Sequence, residues 1–239
     1  EKDRRVEFIY RALEEMQSSL VALNTSLDVH YGEPLAVFRN LLTTYSVQQV
    51  FTNHDYEAYA RLRDADIEKL LLEYGAGYHH FKDQVIFDKN EIVKNDGTPY
   101  TVYTPYAKKW KEILTEKDYH IHKADFNHFL KQDFTEIHSL KEIGFKKTEF
   151  HFETPKLEAK IIDEYDKYRD FPALQKTTQL GIALRFGTIS IRKCVDFALQ
   201  HNQTWLGELI WREFFMQILY HFPKVVSHSF KTKYDFIQW

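Results

Sequence analysis

The sequence predicts two structural classes in one chain, an α/β front and an all-helical back. Three observations carry this. In residues 1–118 short β-like runs alternate with helical stretches. From residue 155 onward helical spacing continues without a strand. Between them, over residues 119–154, charged and aromatic residues follow no period. Strands separated by helices imply βαβ units, because parallel neighbours need a crossover, and hence a parallel sheet. The expected organisation is an α/β domain at 1–118, a connector on the surface at 119–154, and the start of a helical domain at 155–239.

Each element has its own reason. Val6, Ile9, Leu13, Met16 and Leu20 recur at helical spacing from Arg4 to Leu23. Leu27–Tyr31 is a short β-like run ended by Gly32, and Pro34 suits the first position of a helix running through Leu42. Val47–Phe51 reads as a second strand. Tyr56–Tyr74 reads as a helix stopped by Gly75 and Gly77. Val85–Phe87 reads as a third strand, Asp96-Gly97-Thr98-Pro99 as a turn, and Thr104-Pro105 opens a helix to Leu114. Behind the connector come helices over Leu157–Tyr168, Ile189–His201 with Ser190 as N-cap, and Thr204–His221, ended by Pro223.

Composition narrows the class. The chain has 239 residues and a net charge of −3, with no apolar run long enough to span a bilayer, so a soluble cytoplasmic protein and no membrane partner are expected. The single Cys194 excludes an internal disulfide framework and a cysteine metal cluster. Residues 165–239 hold ten Lys/Arg against six Asp/Glu, or +4, which leaves −7 for residues 1–164. An acidic front and a basic back place any polyanion partner on the second part. Glu1 opens directly on a helical pattern without Met or a preceding strand, and Trp239 follows an aromatic-rich segment. Both ends look cut, and a fragment of a longer protein is expected.

Residues 204–215, Thr-Trp-Leu-Gly-Glu-Leu-Ile-Trp-Arg-Glu-Phe-Phe, carry the most chemistry. Helical spacing puts Trp205, Glu208, Trp211 and Arg212 on one face. Two indoles, a carboxylate and a guanidinium suit a flat, partly polar aromatic ligand with an anionic group. The same spacing also fits a half-buried helix with packed indoles and an i,i+4 pair between Glu208 and Arg212. On the residues alone both readings stand. Thr177-Thr178-Gln179-Leu180-Gly181 sets hydroxyls and free amides ahead of a helical region, a natural phosphate seat and also an ordinary cap. His79, His80, His120, His122 and His128 lack an HExxH pattern or cysteine partners, so no metal site is expected. No P-loop, GxGxxG or Ser-His-Asp pattern is present.

These residues, in this order, resemble the photolyase/cryptochrome family. The resemblance runs through Tyr165, Arg169-Asp170-Phe171-Pro172, Thr177–Gly181, Leu184–Ser190 and Trp205–Phe215. In the front half it runs through Asn53, Asp55-Tyr56-Glu57, Arg61, Arg63-Asp64 and Tyr103-Thr104-Pro105-Tyr106 with Trp110. It spans essentially the whole chain. It implies a Rossmann-like antenna domain whose first strand lies upstream of Glu1, then a truncated FAD-binding helical domain. FAD is the implied cofactor, with Tyr165, Thr177, Thr178, Gln179, Leu180, Gly181 and Trp205 as its contacts.

The implied partner is ultraviolet-damaged DNA, met by Arg169, Glu208, Trp211 and Arg212, with Glu208 and Trp211 as the catalytic contacts at the lesion. The implied reaction is electron donation from light-excited reduced flavin to a cyclobutane pyrimidine dimer, which splits, after which the electron returns. Glu208 favours dimer repair, since (6-4) repair enzymes and animal cryptochromes usually carry Gln there. A signalling cryptochrome is the alternative. Trp239 aligns with the outer tryptophan of the family's photoreduction chain. Tyr59-Ala60 replaces the Asn-Glu of folate-antenna members, which argues against methenyltetrahydrofolate and leaves the antenna chromophore open. Gly181 replaces the usual Ser. The chain alone, expected to be a monomer, is not expected to repair DNA, because the remaining flavin contacts lie downstream.

Overall fold

The structure, a computed structural model, describes residues 1–149, 151 and 153–238. They form two compact units, residues 1–46 with 122–155 and residues 47–121 with 156–239.

In the first unit, helix α1 (Arg4–Val21) begins where Asp3 accepts the Arg5 amide at 2.8 Å, satisfying one of the free donors of a helix start. Pro34 opens α2 (Pro34–Thr44) as its position predicts. The run Leu27–Tyr31, expected as a strand, is irregular. Side chains take the backbone groups at its start: buried Gln17 accepts the Leu27 amide at 2.7 Å, Ser26 Oγ donates to the Leu27 carbonyl at 3.1 Å, and Gln132 donates to the preceding Ser26 carbonyl at 2.8 Å. Gln17 also donates to Ser26 Oγ and the Thr135 carbonyl, both at 2.7 Å. These bonds draw part of the aperiodic stretch, which carries a short 3₁₀ turn at Phe126–His128, against the start of the chain.

The second unit holds a βαβ element. β1 (Gln49–Asn53) and β2 (Gly77–Phe81) pair in parallel, from Gln49 opposite Gly77 to Asn53 opposite Phe81. Their crossover contains α3 (Ala58–Glu73). Gly75, at φ +71°, takes the left-handed turn after α3 that favours glycine. Strand β2, Gly-Tyr-His-His-Phe, lacks clean apolar alternation, and the sequence did not reveal it.

Helix α4 (Tyr103–Ile113) follows. The helix expected over Leu157–Tyr168 is instead two short pieces, α5 (Ala159–Asp163) and α6 (Tyr165–Tyr168), because Glu164 leaves helical backbone at φ −103°, ψ 8°. Then come α7 (Gly181–Phe186), α8 (Ile191–His201) and α9 (Gln203–His221). Ser190 does precede α8, but its side chain makes no capping bond. Asn202 does cap α9: its Oδ1 accepts from Thr204 N and Trp205 N at 2.9 and 3.0 Å.

The segment Val85–Phe87 is not a third strand, and α9 explains why. Arg212 donates to the Gln84 carbonyl, Glu213 accepts from the Ile86 and Phe87 amides, Gln217 donates to the Phe87 carbonyl, and His221 meets the Lys89 carbonyl. Side chains of one helix thus satisfy backbone groups that a sheet would otherwise satisfy. The core of this unit lies around that seam, with Ile86, Tyr106, Trp110, Val195, Leu206 and Ile210 almost fully buried. Among the described residues no helix is long and apolar enough to cross a membrane. A parallel α/β element followed by helices is the class the sequence predicts.

Candidate flavin and DNA site

A cavity of about 590 Å³ opens within the second unit, a size in the range of small-molecule and cofactor sites. Helix α9 supplies one wall, with Trp205, Glu208, Leu209, Arg212, Met216 and Leu219 at helical spacing. Thr178, Leu180, Gly181, Leu184 and Arg185, at the start of and along α7, supply a second. Tyr165 of α6 and Asp55, Tyr56, Glu57 and Gln84 complete the lining. The cavity therefore brings together seven of the residues singled out in the sequence: Tyr165, Thr178, Leu180, Gly181, Trp205, Glu208 and Arg212. Thr177 and Gln179 are exposed beside it, Gln179 with left-handed backbone at φ 51°. Trp239 lies outside the described residues.

The pair expected between Glu208 and Arg212 does not form. Glu208 instead accepts from Arg169 Nη1 at 2.5 Å, and both side chains are about one-third exposed. Arg169 also sits over the Tyr165 ring, 5.6 Å from its centroid. Arg212 donates to the carbonyls of Gln84 and Leu184 at 2.5 and 3.1 Å. Burial pulls its pKa down from the ordinary guanidinium value, with the Glu213 carboxylate opposing. Trp211 is not among the lining residues and stacks on Tyr103, with ring centroids 3.6 Å apart and planes 6° apart.

Three side chains of consequence have roles that the sequence did not reveal. Glu213 is buried and accepts from Ile86 N at 2.6 Å, Phe87 N at 3.2 Å, Tyr106 Oη at 3.2 Å and Trp110 Nε1 at 2.7 Å. Burial pushes its carboxyl up to about 7, and the four donors pull the other way. Its signal was available, as a carboxylate standing four and three residues after the apolar Leu209 and Ile210, on the buried face of α9. Asp88, which accepts from the Tyr56 hydroxyl and meets His54 Nδ1 at 2.7 Å, had no such signal. Arg185 forms an ion pair with Glu57 at the cavity edge. Among the described residues no group of His, Cys, Asp or Glu is placed to hold a metal ion.

The DNA photolyase family profile matches residues 1–124. The chain belongs to the DNA photolyase family. It is 29% identical to the deoxyribodipyrimidine photo-lyase of Halobacterium salinarum, over 98% of this chain and 54% of that protein. Against the Synechococcus sp. deoxyribodipyrimidine photo-lyase the identity is 26%, with the same two coverages. The chain thus spans about half the length of the curated relatives it matches. Among solved structures it resembles a class III photolyase from Agrobacterium tumefaciens, with a TM-score of 0.79 and 21% identity over 97% of this chain and 53% of that one. It also resembles an archaeal photolyase from Sulfolobus tokodaii, solved with two FAD molecules, with a TM-score of 0.74 and 22% identity over 100% of this chain and 54% of that one. At these identities the structural likeness speaks for the photolyase fold.

Proposed function

We propose that the full-length protein to which this chain belongs repairs cyclobutane pyrimidine dimers in DNA, driven by light, with FAD as cofactor, and that these 239 residues alone do not. The observation that carries this reading is the cavity itself. In a DNA photolyase family chain it sets the Trp205 and Tyr165 rings and an apolar wall of Leu180, Leu184, Leu209 and Met216 beside Thr178, Gly181 and two guanidinium groups. Flat rings and aliphatic side chains suit an isoalloxazine. Hydroxyl, amide and cationic groups suit a pyrophosphate. In this reading Tyr165, Thr177, Thr178, Gln179, Leu180, Gly181 and Trp205 hold FAD, which when bound and reduced supplies the electron that splits the dimer.

The chain's own residues do the positioning. Arg169, Glu208, Trp211 and Arg212 form the side that meets damaged DNA. Glu208 accepts from the polar edge of a flipped pyrimidine, Trp211 gives it a stacking surface, and Arg169 balances both Glu208 and a backbone phosphate. Arg212 acts through the N–H donors not already given to Gln84 and Leu184. Residues 1–118 correspond to the antenna domain and 155–239 to the first part of the FAD-binding domain. Tyr59 and Ala60 offer neither amide nor carboxylate, so the reading includes no methenyltetrahydrofolate. The protein works as a monomer in the cytoplasm.

The test is light-dependent repair. The protein expressed from its complete reading frame and loaded with FAD is mixed with a thymine-dimer oligonucleotide under blue light and in the dark. The expected result is loss of dimers in the light only. Tight binding of FAD with no loss of dimers in the light would sink the repair reading and leave the signalling alternative.

A further inference from the structure

We propose that Tyr103 is a positioning residue for the stacking surface built on Trp211, fixing the orientation in which the indole meets a damaged base. This rests on the reading that Trp211 meets the lesion. The two rings lie at 3.6 Å and 6°, so the phenol covers one indole face. The Tyr103 hydroxyl donates to the Gly207 carbonyl at 2.9 Å, one turn before Trp211 on the same helix. The ring is therefore pinned at both ends: its backbone starts α4, and its hydroxyl is tied to α9.

Two further features hold the arrangement. Phe214 stands edge-on to both rings, 6.0 Å from Tyr103 and 5.7 Å from Trp211. Helix α4 is rigidly seated, since its Tyr106 and Trp110 are buried and both donate to Glu213. Burial, with the Glu208 charge adding to it, raises the pKa of the Tyr103 hydroxyl. Phe215, 60% exposed and 5.4 Å from the indole at 24°, extends the aromatic surface around Trp211. Tyr103 comes from a motif of the front half, so a residue outside the helical domain shapes the surface expected to recognise the lesion. A preorganised ring loses less freedom when a base stacks on it, and that is how Tyr103 favours damaged DNA.

The experiment compares Tyr103→Phe, Tyr103→Leu, Tyr103→Met and Trp211→Ala in the protein expressed from its complete reading frame. Near-ultraviolet circular dichroism follows the stacked pair. Fluorescence anisotropy gives affinity for an oligonucleotide with one thymine dimer and for its undamaged twin. Tyr103→Leu and Tyr103→Met are expected to lose the stacking signal and about three- to tenfold of the preference for damaged DNA. Tyr103→Phe keeps the ring and loses the tie to Gly207, so it is expected to retain the stacking signal and give up no more than about twofold of the preference. If Leu proves unfoldable, the flexible and equally apolar Met carries the comparison. A preference unchanged by the Leu or Met variant, while Trp211→Ala abolishes it, overturns the role of Tyr103. A preference unchanged by Trp211→Ala overturns instead the reading on which the proposal stands.

Discussion

Trp110 Nε1 donates to Glu213 Oε1 at 2.7 Å, and this bond joins α4 of the front half to α9 of the helical half inside one core. Glu213 also holds the amides of Ile86 and Phe87, so a single carboxylate organises three stretches of chain. Removing it leaves buried donors without partners, a cost that exceeds the value of the bonds themselves. Glu213→Ala is expected to lower unfolding free energy by about 3 kcal/mol or more. Glu213→Gln, which turns an N–H₂ toward some of those donors, is expected to lose about 1–2 kcal/mol. Urea melts of the two variants check this. A loss below ~0.5 kcal/mol for Glu213→Ala, the range of an ordinary surface change, would rule the organising role out.

The same carboxylate predicts a pH dependence. Its folded pKa is raised to about 7 from the ordinary 4.5, with burial as the main cause. Between those values the folded state holds a proton that the unfolded state has released, so stability falls as pH rises through this window. The group's contribution is fully present below pH 4.5 and lost above about 7. The expected swing is about 3 kcal/mol. Urea melts from pH 4 to 8 should show it in the wild-type chain, and the difference between wild type and Glu213→Gln should flatten outside the window. A wild-type minus Glu213→Gln difference that stays constant across the window contradicts the shift.

What the sequence revealed and what it hid follow from one distinction. Helices α1, α2, α3, α4, α8 and α9 were legible because periodicity and boundary residues are local, as with Pro34 and Gly75. The cavity wall was legible for the same reason: Trp205, Glu208 and Arg212 share a face by spacing alone. Non-local satisfaction was not. Val85–Phe87 has strand composition, yet its amides go to Glu213, and no local pattern announces that. Strand β2 was hidden by its histidines and Gly77. The pairing of Glu208 with Arg169 rather than Arg212, and the stacking of Trp211 on Tyr103, depend on partners 39 and 108 residues away in sequence.

The Arg169–Glu208 pair separates binding from stability. Each side chain is about one-third exposed, so solvent screening limits the pair to under about 1 kcal/mol of folding free energy. Its proposed use is at the lesion, where Glu208 accepts from the base edge. Glu208→Gln and Glu208→Ala are therefore expected to leave urea midpoints nearly unchanged. Glu208→Ala should weaken binding to a thymine-dimer oligonucleotide about tenfold, leaving undamaged DNA unaffected. Equal losses for both DNAs would assign Glu208 to general folding or charge, against the lesion reading.

Trp205 tests the other side of the cavity. It is 3% exposed, belongs to the buried core and also lines the cavity. Truncation to Ala would confound the two, since emptying a buried indole costs about 3–5 kcal/mol by itself. Trp205→Phe keeps a ring in the core while shortening the wall, and it is expected to fold. In the flavin reading its FAD affinity falls about tenfold, since a smaller ring gives up contact with the cofactor. Titration of FAD fluorescence against wild type and Trp205→Phe gives the ratio, and a urea melt shows whether folding moved. Unchanged affinity with a lowered melt places Trp205 in the core alone and removes it from the flavin wall.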